Sequence, residues 1–334
     1  MKAMVYRRYG GPDVVGLAEM PKPVPRDNEA LIRIHATTVT TGDWRARSLN
    51  LPGGFGFMGR LVFGVFGPRQ PILGTELAGV VEAVGKAVTR FRVGDEVFAF
   101  PGARYGGHAE YRTMPEDGLI ALKPKNLSFE EAAALSFGGA SALIFLRDKA
   151  HIKAGDRVLI VGASGGVGTA AVQIARHFGA EVTGVSSTRN LELVRAIGAD
   201  KVIDYTSEDF AKSGERYDII FDTTGTVPLS RCEPALKDGG RLVAVQGTFA
   251  QALGLERSMA ASGKKVIAGV AAARAQDLAF LAKLAEAGEY KPVIDRSYPL
   301  ENAVEAHAYV DTGRKLGNVV LTVGRAGTPQ PVAA

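Results

Sequence analysis

The chain runs to 334 residues, 46% of them hydrophobic and 22% charged, with a formal net charge of +5. That balance supports one large or two ordinary domains with substantial cores and speaks against a disordered binding protein. The small charge, with no dense Lys/Arg block, argues against nucleic acid as a partner, and the single cysteine, Cys232, excludes an internal disulfide or a multi-cysteine zinc knot.

The opening MKAMVYRRYG enters a strand pattern directly, without an apolar leader, so a reducing, cytoplasmic setting is expected. No stretch reaches the roughly 18 apolar residues of a spanning helix. Strands are predicted at Ala3–Tyr6, Glu29–Val39, Gly79–Val84 and Glu96–Phe98, with Gly, Pro and charged turns between them, as in a largely antiparallel domain. Between the second and third lies LNLPGGFGFMGRLVFGVFGPRQPIL, dense in aromatics and glycines. Phe55, Phe57, Phe63 and Phe66, with Met58 and Leu61, read as the lining of an apolar substrate mouth or a moving cover that excludes water. A core or dimer contact fits the same pattern. The segment lacks the strongly basic polar face of a membrane-surface helix.

Near Asn126 the periodicity changes. A helix is predicted over Phe129–Phe145, and RVLIV at Arg157–Val161 then begins a series of short apolar strands: Glu181–Val185, Lys201–Tyr205, Tyr217–Asp222, Arg241–Gln246 and Lys264–Val270. Helical spacing over Gly168–Phe178 and Asn190–Ile197 separates them, and a helix at Gln276–Glu286 is expected to complete the layer. The pattern is α/β, a doubly wound parallel sheet covered on both faces. From Tyr290 the strand-like PVIDRSYPL and GNVVLTV are expected to return to the first domain, and GRAGTPQPVAA to fray. The expected division is therefore a β-rich substrate domain at 1–123, a nucleotide domain at 124–289 and a return at 290–334.

The strongest local signal is GASGGVG, placed after one strand and at a helix start. Gly162 makes the turn, Ala163 and Ser164 keep the next steps small, and Gly165 and Gly166 let backbone amides reach a pyrophosphate. Val167 continues into the helix, whose dipole favours the anion, and Gly168 permits close packing. The spacing is GxxGxxG, and the Lys-Ser/Thr ending of a kinase-type loop is absent. A dinucleotide is the implied ligand. After the next strand, EVTGVSSTRN carries no acid for ribose hydroxyls; Ser186 offers a hydrogen bond and Arg189 a partner for a 2′-phosphate, which points to NADPH/NADP+. By fold logic Tyr205, Thr223, Gly225, Gln246 and Gly247, beside or after later strands, border the same ligand.

With GPDVVGLAEMPKPVP, GTELAGVVEAVG, GDEVFAF, GASGGVG, IGADKVIDY and GNVVLTV in place, the whole chain resembles the medium-chain dehydrogenase/reductase superfamily, and within it the zinc-free quinone oxidoreductase branch. The resemblance implies a GroES-like substrate domain, a Rossmann-type domain, a cleft between them and, commonly, a homodimer. In zinc-dependent relatives the GTELAG corner reads GHE, its histidine holding catalytic zinc; here Thr75 stands there. The early turn that normally supplies a cysteine, VTTGDW, has none. No metal site is therefore expected. Thr40 falls where quinone-reductase relatives often carry asparagine, and Asp43 is expected to hold the turn. Ser141 matches the family's hydroxyl near the nicotinamide, and Lys315, Gly317 and Asn318 match its late cofactor-proximal turn. Tyr105, before a Gly-Gly turn, is a second catalytic candidate, although aromatic packing is the stronger reading.

Without zinc to polarise a carbonyl, hydride from NADPH suits acceptors whose conjugation takes up the electrons, namely quinones and α,β-unsaturated carbonyls. The expected partner is a hydrophobic small-molecule electrophile. An NADP-dependent alcohol dehydrogenase or ketone reductase, and a nonenzymatic NADPH-binding sensor, are the alternatives.

Overall fold

The structure, a computed structural model, describes residues 1–248, 251 and 263–324. The described residues of Met1–Leu51, Gly56–Phe137 and Ala273–Ala334 form one compact unit, and those of Pro52–Phe55 and Gly138–Ala272 a second.

In the first unit β1 (Lys2–Tyr6) and β2 (Val15–Glu19) pair antiparallel. The centre is β3 (Glu29–Val39), an eleven-residue strand that matches its predicted bounds and is buried along most of its length. Two helices the strand pattern did not announce follow, α1 (Thr41–Ser48) and α2 (Gly56–Phe63). Then come β4 (Leu77–Val84), β5 (Glu96–Ala99), β6 (Tyr111–Pro115) and β7 (Ile120–Leu122). β4 lies antiparallel against β3, β5 against β4 and β7 against β5, while β6 pairs with β3. A core of apolar side chains, including Ile32, Leu77, Val81, Val97 and Ile120, fills this unit.

The helix predicted over Phe129–Phe145 is broken. It is α3 (Phe129–Ala133), a turn at Ala134 and Leu135, and α4 (Ser136–Leu143), which passes into a π-helical stretch at Ile144–Lys149. The break has a cause distant in sequence. In a continuous α-helix the Phe137 amide would donate to the carbonyl of Ala133. Here it donates at 2.5 Å to Oε2 of Glu76, a carboxylate from the start of the β4 corner.

The second unit is a six-stranded parallel sheet. Its elements are β8 (Arg157–Val161), α5 (Gly166–His177), β9 (Glu181–Ser186), α6 (Leu191–Ala196), β10 (Lys201–Asp204), β11 (Tyr217–Asp222), α7 (Leu229–Cys232), β12 (Leu236–Ala244) and β13 (Lys265–Ile267). The strand order is β10-β9-β8-β11-β12-β13, with every pair parallel. Counted from β8, that is 3-2-1-4-5-6, and the order reverses between β8 and β11. An open parallel sheet binds its ligand at the carboxyl ends of the strands flanking such a reversal.

The chain then returns to the first unit, as the tail strands led us to expect. α8 (Ala275–Glu286) belongs to that unit and does not complete the layer on the parallel sheet; Asn126 Nδ2 donates to its Ala285 carbonyl at 2.8 Å. Its stripe of Leu278, Leu281 and Leu284 is buried there, and helical periodicity alone does not say which sheet such a stripe covers. β14 (Ile294–Pro299), α9 (Ala303–Asp311) and β15 (Asn318–Thr322) follow, and β15 lies between β14 and β3. No helix among the described residues is long and apolar enough to cross a membrane. Of the GRAGTPQPVAA tail, all but Gly324 lies outside the described residues.

Candidate functional site

The nucleotide signal becomes geometry at the end of β8. Gly162 turns with φ +77°, and its amide and that of Ala163 both donate to the Val185 carbonyl of β9, at 3.1 and 3.0 Å. Gly165 is the N-cap residue of α5, in extended backbone. The amides of Gly166, Val167 and Gly168, the first three of the helix, have no acceptor among the described residues. They are the orphan donors of a helix start, aligned with its dipole. A Cβ at Gly168 would lie 2.0 Å from the Gly162 carbonyl oxygen, so Gly168 is required by the turn's own packing. A Cβ on Gly165 would meet nothing nearer than that same oxygen at 3.5 Å. The space in front of Gly165 is thus left unfilled by the protein, and three free amides stand beside it. These residues fit the diphosphate of a dinucleotide.

The two strands at the reversal are stapled together. Thr223 donates from its amide (3.1 Å) and its hydroxyl (2.9 Å) to the Val161 carbonyl, and Gln246 Nε2 donates to the Thr223 carbonyl at 2.7 Å. Gly225, at φ +68°, and Gly247 complete this rim; a Cβ on Gly225 would crowd Gln246 Cβ at 3.0 Å. Thr223, Gly225, Gln246 and Gly247 therefore gather beside the cradle.

At the end of β9 the expected residues divide. Ser186 is buried and donates to Ser164 Oγ at 2.8 Å, and Asn190 Nδ2 donates to the same oxygen at 3.1 Å. Ser164 and Ser186 thus brace the cradle from behind, and Asn190 is a brace that the spacing did not reveal. Arg189 is exposed, and its guanidinium has no ion pair among the described residues. Tyr205 is also exposed, after β10. The nearest acid in the neighbouring strand, Asp204, accepts from Thr188 Oγ1 on one oxygen and from the Thr206 amide and hydroxyl on the other. Those bonds hold its carboxyl below the usual range and tie it to its own turn. Arg189→Ala is expected to weaken NADPH roughly tenfold to a hundredfold while changing NADH affinity by less than about threefold, because only the former carries a 2′-phosphate. Parallel titrations of the two cofactors read this; equal effects place Arg189 in plain solvent. Ser141, matched to the start of the connecting helix, lies inside α4 rather than at its first turn.

In the first unit, the GTELAG corner answers why a carboxylate follows Thr75. Thr40 caps α1: Asp43 N donates to Thr40 Oγ1 at 3.2 Å, while Asp43 Oδ2 accepts from the Thr40 amide (2.8 Å) and hydroxyl (2.6 Å). Asp43 Oδ1 accepts the Gly74 amide at 2.8 Å, and the Thr40 and Thr75 hydroxyl oxygens lie 3.1 Å apart. Thr40, Asp43 and Thr75 are all buried. The hydroxyl proton of Thr40 is committed to Asp43, so its place here is that of a cap.

Glu76 is fully buried. Oε1 accepts from Thr38 Oγ1 at 2.6 Å and Oε2 from the Phe137 amide, so the carboxylate links the end of β3 to the start of α4. Burial pushes its pKa up to about 7, against the lowering effect of those donors. The folded value exceeds the unfolded one, so the folded state holds the extra proton between them; this group's stabilisation is complete at low pH and declines as pH rises towards 7. Glu76→Gln is expected to gain about 3 kcal/mol relative to wild type between pH values below 4.5 and above 7. Urea unfolding at fixed pH values measures this, and a pH-independent difference would mean that folding leaves the carboxyl's pKa unchanged.

Tyr105 is buried with φ +48°, its ring 6.4 Å from that of Phe63, and burial raises its phenol pKa well above the ordinary value. Lys315 is half-buried and donates to the Gly317 carbonyl at 2.6 Å; desolvation lowers its pKa to about 8. Asn318 Nδ2 donates to the Val293 carbonyl at 3.0 Å, holding the first residue of β15. Phe55 and Phe63 are half-buried, whereas Phe57 and Phe66 are 75% and 104% exposed. Among the described residues no three of His, Cys, Asp and Glu gather as a metal site. Folding does bring two distant histidines together: His108 and His307 are buried with ring centroids 5.5 Å apart, a pairing that no spacing suggested.

Comparison with known proteins agrees with both units. Residues 26–124 match the family described as alcohol dehydrogenase GroES-like domain, and residues 197–321 the family described as zinc-binding dehydrogenase. The chain is 34% identical to 2-methylene-furan-3-one reductase of Solanum lycopersicum over 333 residues, 96% of this chain and 79% of that one. It is 33% identical to NADPH-dependent alkenal/one oxidoreductase, chloroplastic, of Arabidopsis thaliana, with the same shares covered. The solved quinone oxidoreductase from Coxiella burnetii superposes with a TM-score of 0.84 at 30% identity, covering 97% of this chain and 99% of that one.

Proposed function

Given that the chain belongs to the medium-chain dehydrogenase/reductase superfamily, in its quinone-oxidoreductase-like branch, we propose that it reduces quinones or α,β-unsaturated carbonyls with NADPH and without zinc. The observation that carries the reading is the unfilled space before Gly165, beside three free amides at the strand-order reversal. Bound there, NADPH supplies the hydride. The chain's own residues do the rest: Gly166, Val167 and Gly168 hold the diphosphate, Ser164, Ser186 and Asn190 keep the turn rigid, and Arg189 with Tyr205 faces the adenosine end. Thr223, Gly225, Gln246 and Gly247 shape the rim, with Ser141, Lys315 and Asn318 as further cofactor neighbours.

Zinc independence is supported by chemistry at the corner. Thr75 and Thr40 offer neutral hydroxyls, poor donors for a metal that prefers thiolate, imidazole and carboxylate; the two are engaged with each other, and Thr40 also with Asp43. A conjugated acceptor needs no such metal, because its own oxygen takes up the developing charge. No obligatory proton donor is assigned. Thr40 spends its proton on Asp43 and Tyr105 holds its proton tightly, so solvent completes protonation; both residues act by positioning. Phe55 and Phe63 line the apolar substrate side, with Phe57 and Phe66 at its outer edge. The functional division we assign is 1–123 with 290–334 for substrate and 124–289 for nucleotide. A homodimer and a cytoplasmic setting belong to the same proposal.

NADPH oxidation by metal-stripped protein, with matched quinone, enone and saturated-ketone acceptors and enzyme-free blanks, tests the reading. Turnover confined to conjugated acceptors supports it. Equal saturated-ketone turnover moves the function to a ketone reductase, and turnover restored only by zinc overturns it.

A further inference from the structure

Half of the exposed large hydrophobic side chains among the described residues fall within one short segment: Phe57, Met58, Leu61, Val62, Val65 and Phe66. Their spacing places the helical members on one face of α2. The opposite face is fixed inward. A Cβ on Gly59 would lie 1.9 Å from Leu51 Cδ1, and Phe63, one turn on, packs towards Tyr105. The following turn is also tied down, by Arg69 N to Phe63 O (2.8 Å) and Tyr9 Oη to Gly64 O (2.8 Å). An anchored helix therefore presents aromatic and aliphatic side chains outward.

The segment that carries this face has one sign of charge. The sequence contains no Asp or Glu between Asp43 and Glu76. Arg60 sits on α2 and Arg69 just after it; both are exposed, and neither makes an ion pair among the described residues. Arg7 joins them from the N-terminal strand: its carbonyl oxygen lies where a Cβ on Gly67 would approach to 3.2 Å, and Tyr6 N donates to Pro71 O at 2.8 Å. Basic residues from α2, from the turn after it and from the chain beyond β1 thus lie in or beside this segment. Exposed aromatics in a segment whose arginines make no ion pair among the described residues match a bilayer surface, where rings enter the acyl boundary and cations meet anionic headgroups.

We propose that α2 and the turn after it form a peripheral docking surface for an anionic lipid bilayer. The inference does not depend on the catalytic reading, because its test measures no turnover. Full-length protein is floated with vesicles of phosphatidylcholine alone and of phosphatidylcholine mixed with phosphatidylglycerol. Binding to the mixed vesicles is expected, weakened at raised salt. At least about tenfold loss is expected in Phe57→Ser/Phe66→Ser and again in Arg60→Glu/Arg69→Glu, with melting temperatures unchanged because these side chains are exposed. No binding to mixed vesicles, or binding that both variants retain, overturns the proposal. So does a wild type that ignores vesicles while the aromatic variant turns a dimer into a monomer by light scattering, which would assign the face to a second copy.

Discussion

Gly165→Val is expected to fold and yet lose NADPH affinity on the order of 100-fold or more, about 3 kcal/mol, whereas Gly168→Val is expected to lose the turn itself. The two glycines are three residues apart in one motif and differ in what a side chain would meet. At Gly168 the first added carbon would sit 2.0 Å from the Gly162 oxygen and 2.8 Å from Ala163 Cα. Both are backbone atoms, so no rotamer relieves the clash and the strand–helix junction must shift. At Gly165 the backbone is already extended and the nearest atom is at ordinary contact distance. A valine there costs about 1 kcal/mol as a poor N-cap residue, and its methyls occupy the space before the free amides. Thermal unfolding together with NADPH fluorescence titration separates the cases. Unchanged NADPH binding in a folded Gly165→Val would remove the diphosphate from this cradle.

The second large effect is one of stability. Asp43→Ala is expected to cost about 3–5 kcal/mol, measured by urea unfolding, while Thr40→Val costs about 1–2 kcal/mol as a lost cap. The carboxylate is fully buried and takes three donors: the Thr40 amide, the Thr40 hydroxyl and the Gly74 amide. Truncation strands two buried amides from different parts of the chain, and each unpaired group costs about 1–3 kcal/mol. Asp43→Asn should fall between, since its amide nitrogen faces donors on one side. A cost for Asp43→Ala no greater than that for Thr40→Val would show that Gly74 finds another acceptor.

The parallel sheet was legible because its signals are local. β8 and β11 match their predicted bounds, being short apolar runs between turns, and GASGGVG marks the turn after β8 by composition alone. The long β3 was equally clear. α1 was not, because its sequence TGDWRARS carries little amphipathic pattern; Thr40 and Asp43 start it with a capping box, and that box went unread. The broken helix at Ala134 was hidden for a different reason. Its cause, Glu76, lies far away in sequence, and no window around Phe137 contains it. The same limit applies to Ser186, which reads as a cofactor contact until Ser164 comes within 2.8 Å. The glycine turn itself was readable from its spacing, whereas residues that brace other residues needed the fold.

The place of β15 has a consequence for synthesis. This strand pairs antiparallel with β3, Val319 against Val39 through Thr322 against Ala36. A nascent chain has therefore made the whole parallel sheet, with its contiguous strand–helix units, before the last neighbour of β3 exists. The second unit is expected to fold on the ribosome first, while the Ala36–Val39 edge of β3 waits with open hydrogen-bonding groups. Such an edge recruits other strands, so a chain arrested before Asn318 is expected to aggregate through β3, and the final stretch of translation decides the yield of soluble enzyme.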